Sequence, residues 1–136
     1  MNILLVDDDQ IEHEAISRAL RLSGIGCPLT TACDGVEALK VLRGGDGVLP
    51  LGHPLMILLD LNMPKMNGFE FLEELRKDPE LEAAVVFILS TSTRNDDILR
   101  AYEYHVAGFI SKESAHKDFS LLAGFITSYS RLMSFA

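Results

Sequence analysis

The stretch Ile57-Leu58-Leu59-Asp60-Leu61-Asn62-Met63-Pro64-Lys65-Met66-Asn67-Gly68 decides the fold of this chain. Residues 56–59 form a short, unbroken apolar run bounded by turn signals, the pattern of a strand buried on both faces inside a parallel sheet. Asp60 follows where that strand leaves the sheet. In open α/β folds the carboxyl ends of parallel strands are where ligands bind, so a carboxylate there meets solutes while its backbone is held rigid. Pro64 presets one turn, and Gly68 is free to take a positive φ. Read by itself, Asp60 could be an aspartate that only caps a turn; the rest of the chain decides against that.

Working outward, the same design recurs. Asn2–Val6 is a short buried strand that runs into Asp7-Asp8-Asp9. Gln10–Leu22 has a helical face of Ile11, Ala15, Ile16, Ala19 and Leu20, with Asp9 placed to cap it and Glu12 three residues on, the spacing of a capping box. Leu29–Ala32 is a second strand, and Gly35–Arg43 a helix with Val36, Ala38, Leu39 and Leu42 on its buried side. Residues 43–54, rich in glycine and proline, form an irregular surface loop. After Asp60, a helix over 67–77 buries Phe69, Phe71, Leu72 and Leu75 and stops at Asp78-Pro79. A buried run over 85–89 delivers Ser90-Thr91-Ser92-Thr93. A helix over 96–104, a strand Gly108–Ser111 ending at Lys112, and an amphipathic helix over 116–135 complete five βα units.

Such alternation implies right-handed crossovers and a parallel sheet covered on both faces. The expected fold is a single α/β domain over residues 1–136, doubly wound, with five strands in the order 2-1-3-4-5. No repeat or linker marks a second domain.

Composition narrows the function. At 136 residues, 48% apolar but 7% aromatic and without tryptophan, the chain builds an aliphatic core. A formal charge of −8 argues against a nonspecific grip on nucleic acid or an anionic membrane and favours a divalent cation at an acidic mouth. Cys27 and Cys33 lack the partners of a zinc site and read as buried free thiols. The opening apolar run meets Asp7 too soon for a secretory signal, and no run reaches membrane-spanning length, so a cytoplasmic protein is expected.

Regular crossovers bring Asp7, Asp8, Asp60, Ser90 and Lys112 to one edge of the sheet. Three converging carboxylates raise one another's pKa, and a hard divalent cation with oxygen ligands relieves that repulsion; Mg²⁺ suits the donors and Mn²⁺ also fits. A metal-held carboxylate can attack phosphorus, with the Ser90 hydroxyl and the Lys112 ammonium completing the cage around the phosphoryl oxygens. The product is an aspartyl phosphate.

The segments LLVDDD (4–9), LLDLNMPKMNG (58–68), FILST (87–91) and GFISK (108–112), at spacings that need no gaps, resemble the receiver domains of two-component response regulators. That resemblance covers the whole chain. It implies a phosphoacceptor at Asp60, a direct metal ligand in Asp8, a second acidic metal-site residue in Asp7 and a further ligand in the backbone carbonyl of Asn62. It also implies phosphoryl contacts from Ser90 and Lys112, and a phosphohistidine of a sensor histidine kinase as donor. The GGDGVLPLGHP loop (44–54), NMPKMNGFEFL (62–72) and the run from Ser90 to Lys112 are similar to single-domain regulators paired with phytochrome kinases.

The chain also departs from the receiver pattern. Lys112 is followed by Glu113 instead of proline, so a cis peptide is not to be assumed there. Phe109 stands where many receivers carry a switching tyrosine, and without a hydroxyl its two states can differ only in packing. Phosphorylation is expected to pull Ser90 inward and change the face made by the fourth helix, fifth strand and closing helix. That face, with Phe119, Leu122, Phe125, Ile126, Tyr129 and Leu132 on its last helix, is the expected surface for a partner or a homodimer. Two rival readings remain. One is a receiver-like interaction module that no longer takes phosphate. The other is a Mg²⁺-dependent phosphatase with an aspartate nucleophile, disfavoured because Asn62 stands where such enzymes resemble one another in a second aspartate.

Overall fold

The structure is a computed structural model that describes residues 1–45, 47 and 49–135; the expected loop residues Asp46 and Val48, and Ala136, lie outside the described residues. The strands are β1 (Asn2–Val6), β2 (Leu29–Ala32), β3 (Leu55–Leu59), β4 (Val85–Ser90) and β5 (Gly108–Ser111). They form one parallel sheet in the order β2-β1-β3-β4-β5, as expected. The register sets Val6 beside Leu59 and Leu59 beside Ile88, so the strands carrying the acidic residues end level with one another.

The helices are α1 (Gln10–Leu22), α2 (Gly35–Arg43), α3 (Gly68–Lys77), α4 (Asn95–Glu103), α5 (Lys112–Lys117) and α6 (Phe119–Leu132). Two aliphatic cores flank the sheet. On one face Leu4, Ile57, Leu59 and Ile88 meet α2, α3 and Ala101 of α4. On the other, Ile3, Leu5, Met56 and Leu58 meet Ile16 and Leu20 of α1, Ala115 of α5 and Leu122 and Ile126 of α6. Alternate residues of β3 therefore serve opposite cores, which explains its unbroken apolar run.

Several local expectations are corrected. The closing helix is two helices: Ser111 caps α5 by accepting from Ser114 N–H, and Asp118 ends it and caps α6. α6 stops at Leu132, short of 135. The capping box expected at Asp9 and Glu12 does not form. Asp9 accepts from Ile11 N–H, and Glu12 turns into the protein. The box forms instead at α3, where Asn67 and Glu70 bond reciprocally. Ile11 and Val36 face solvent, their helices burying His13 and Gly35 among others in their place. Both cysteines are free but half-buried. Among the described residues the one cis peptide is His53–Pro54, so Lys112–Glu113 is trans. No helix of the described residues is long and apolar enough to cross a membrane.

Candidate functional site

The site is assembled at the carboxyl edge of the sheet from residues that leave its strands. Asp7 and Asp60 directly follow β1 and β3, and their backbones are tied into the sheet: Asp7 N–H donates to the Ala32 carbonyl at 3.0 Å and Asp60 N–H to the Val6 carbonyl at 2.9 Å. Asp8 stands beside Asp7 and is exposed, whereas Asp7 and Asp60 are buried. One carboxylate oxygen from each of Asp7, Asp8 and Asp60 lies within 4.8 Å of the others.

The turn after Asp60 is held by close packing rather than by a glycine with positive φ. The left-handed residue is Lys65, at φ 61°. Gly68 opens α3 so near to the turn that a Cβ there would lie 2.6 Å from the Asp60 carbonyl oxygen and 2.7 Å from Leu61 Cα. Gly68 N–H donates to the Leu61 carbonyl at 2.9 Å. The third helix is thereby pinned to the backbone that carries Asp60.

Lys112 enters from the end of β5. Its ammonium is 2.8 Å from Asp7 Oδ2 and 3.7 Å from Asp60 Oδ1. The Asp7 contact is an ion pair, and the Lys112 ammonium is the one polar partner of this buried oxygen among the described residues. Burial pushes the Asp60 carboxyl up to about 6; Lys112 and the Asn62 N–H oppose that rise, while Asp7 and Asp8 add to it. Burial pulls the Lys112 ammonium down, but Asp7, Asp60 and Glu12 outweigh it and its pKa stands above the ordinary lysine value. One cation among three carboxylates leaves the site short of positive charge. Hard oxygen donors within 4.8 Å of one another and an uncompensated negative charge fit a divalent cation of the Mg²⁺ or Mn²⁺ kind.

Ser90 is the last residue of β4 and is fully buried; its Oγ accepts from Ser92 N–H at 3.1 Å. Ser92 Oγ in turn donates to Asp97 Oδ2 of α4 at 2.6 Å, so the loop after β4 is fastened to the next helix. Phe109 lies within β5, half-buried against the core of the α2–α3–α4 face, and pairs in register with Ile88. Asn62 N–H serves the Asp60 carboxylate.

Residues 3–122 match the response regulator receiver domain family. The chain belongs to that family. Among curated relatives, this receiver is 35% identical over 123 residues to response regulator Rcp1 of Synechocystis sp., covering 90% of the chain and 84% of the relative. Among solved structures it is similar to the phosphorylated cyanobacterial phytochrome response regulator RcpA, with 34% identity, a TM-score of 0.86 and coverage of 98% of this chain and 96% of that one. The Mn(2+)-bound form of Rcp1 is similar at 32% identity, with a TM-score of 0.84 and the same coverages. The receiver is thus homologous to response regulators of phytochrome systems, and neither rival reading is favoured.

Sequence reasoning missed two buried groups beside the site. His13 lies on α1 with its Nε2 2.6 Å from the Asp7 carbonyl oxygen, bracing the acidic loop from behind. Glu12 is the second: its carboxylate is engaged by His116 Nε2 at 2.8 and 3.0 Å. The two partners are 104 residues apart, so only the folded chain reveals the pair.

Proposed function

We propose that this receiver takes a phosphoryl group onto Asp60 from a phosphohistidine of a sensor histidine kinase, of the phytochrome type, in the cytoplasm. The observation that carries the reading is the convergence of Asp7, Asp8 and Asp60 within 4.8 Å, with the Lys112 ammonium 3.7 Å from the Asp60 oxygen. Asp7, Asp8, Asp60 and the Asn62 backbone carbonyl would hold Mg²⁺, with Mn²⁺ an alternative. When bound, the cation would neutralise charge on the phosphoryl oxygens and draw the Asp60 carboxyl back down from its raised value.

An Asp60 carboxylate oxygen forms the new bond to phosphorus as the phosphorus–nitrogen bond of phosphohistidine breaks, its electron pair returning to the imidazole. Lys112 and the Ser90 hydroxyl meet the phosphoryl oxygens. Ser90 Oγ accepts from Ser92 N–H and keeps its O–H to donate, so turning that hydroxyl toward a phosphoryl oxygen pulls on the loop that Ser92 fastens to Asp97 of α4. Phe109 is free to repack as that loop moves, and the surface of α4, β5 and α6 changes. Receptive apolar groups stand there: a hollow of about 390 Å³ is lined by Phe87, Tyr102, Phe109, Leu121, Leu122 and Phe125. A partner protein or a second copy of the chain binds that face, and the chain acts as a signalling protein rather than as an enzyme with an external substrate.

The test is incubation with Mg²⁺ and a small phosphodonor, followed by a phosphate-retarding gel of wild type and Asp60→Asn. A labile shifted band in wild type alone is expected. A band in both, or turnover of a generic phosphate ester, would overturn the assignment.

A further inference from the structure

Lys112 is the first residue of a six-residue helix that follows a four-residue edge strand. Ser111, paired in register with Ser90, brings the Lys112 backbone to the sheet edge, but a helix that short is marginal alone, so the course of α5 from there depends on what it is fastened to. On the core side that is one small residue, the buried Ala115. On the site side it is Glu12 of α1. The Glu12 side chain is 5% exposed, against 45% for His116, and a carboxylate can only accept, so the proton of the contact lies on His116 Nε2. His116 follows Lys112 by four residues, which places both on one face of α5. The imidazole is steadied from its other side by Phe119, at 5.4 Å between ring centroids. Lys112 and His116 also line one recess with Thr91, Glu113 and Lys117, beside the site.

We propose that Glu12 and His116 are positioning residues: their contact clamps α5 to α1 and holds the Lys112 ammonium over Asp7 and Asp60. Glu12 acts twice, through the clamp and by adding to the negative field that Lys112 sees. Neither residue touches the reacting atoms. The pair joins α5 to α1 by a hydrogen bond one helical turn beyond Lys112. This inference rests on the phosphoacceptor reading of Asp60 for its kinetic consequence, but its structural consequence stands apart from it.

The test uses the full chain and two readouts. The first is the ¹⁵N-detected ammonium signal of Lys112, assigned with Lys112→Arg and slowed in exchange by its burial against Asp7. The second is the rate of phosphorylation by a small phosphodonor at saturating Mg²⁺. His116→Ala removes the clamp at a half-exposed position that does not threaten folding, and Glu12→Ala removes its other half. Both are expected to broaden the Lys112 signal and to slow phosphorylation by about tenfold or more, since misplacing a catalytic group by ~1 Å costs up to about a hundredfold. His116→Gln, whose amide nitrogen sits at the reach of Nε2, is expected to recover the signal and most of the rate. A merely structural role would leave His116→Ala and His116→Gln alike. The proposal is overturned if the Lys112 signal persists in His116→Ala, if the rate falls with that signal unchanged, or if His116→Gln fails to recover it. If wild type takes no phosphate but the Lys112 signal follows the pattern above, the clamp stands and the phosphoacceptor reading of Asp60 falls.

Discussion

At the scale of single residues, Asp60 carries an electrostatic cost that pH exposes. Its carboxyl stands at about 6 in the folded chain against an ordinary 3.8. Below about pH 4 the folded and unfolded states both hold the proton. Between about 4 and 6 the folded state keeps it while the unfolded state has lost it, so stability falls as pH rises, by ~3 kcal/mol in all. Urea unfolding in a chelator should therefore show wild type losing stability from pH 4 to 7 relative to Asp60→Asn; parallel curves would refute the assignment. Adding Mg²⁺ at pH 7 should return stability to wild type but little to the variant, because a cation that binds only the folded state stabilises it by mass action. Gly68 sets a second test. A methyl group there meets the Asp60 carbonyl and the Leu61 Cα, which are backbone and cannot swing aside. Gly68→Ala should cost ~1–3 kcal/mol by overpacking, and slow phosphorylation by displacing Asp60; an unchanged melting temperature would contradict the contact. Glycine at this position was legible in the sequence, but its reason was not, because positive φ and close approach leave the same mark on a sequence.

At the scale of elements, the sheet was readable because each strand end writes itself as apolar residues followed by polar ones, and four such ends at receiver spacing leave little freedom. The helix termini were less so. Asp9 and Glu12 have the spacing of a capping box, yet burial against His116 drew Glu12 away from the backbone it was expected to cap. Likewise the apolar period of 116–135 hid the break at Asp118, whose capping of Ser120 N–H competes with helix continuation. Contacts between elements were invisible for a simpler reason: they join distant residues. Arg76 is the strongest of these. From α3 it donates to the carbonyls of Tyr104, Glu82, Ala84 and His105, tying the turns before β4 and after α4 to one guanidinium. Arg76→Ala leaves those carbonyls without it and should destabilise by ~2–4 kcal/mol. Arg76→Lys, lacking the planar fork, should recover less than half of that loss. Chemical denaturation of the two variants decides; equal stabilities would mean that solvent replaces the arginine.

At the scale of the whole molecule, charge and apolar surface oppose one another. A net charge of −8 on 136 residues repels a second copy. On the proposed reading the face of α4, β5 and α6 would attract one: Leu99 and Leu121 are 64% and 68% exposed, and Leu121 lines the hollow with Tyr102 and Phe125. The carboxylates sit at the carboxyl edge of the sheet, where β4 ends in Ser90, and the loop after it is bonded from Ser90 through Ser92 to Asp97 of α4. On the proposed reading, phosphorylation would act on the attractive term without adding much to the repulsive one, because Lys112 and a bound cation would meet the phosphate's charge. Dimerisation through this face should follow phosphorylation and strengthen with salt, as screening removes repulsion between the copies while the apolar contact remains. Light scattering with Mg²⁺ and phosphodonor should report a mass near twice that of the untreated chain at moderate ionic strength. Leu121→Glu, outside the phosphorylation site, should hold the mass at that of a monomer while the gel still shows the phosphorylated band. A monomeric mass for phosphorylated wild type at every salt concentration would refute the dimer and leave this face to a partner of another kind, whereas a dimer that survives Leu121→Glu would move the interface to a different surface.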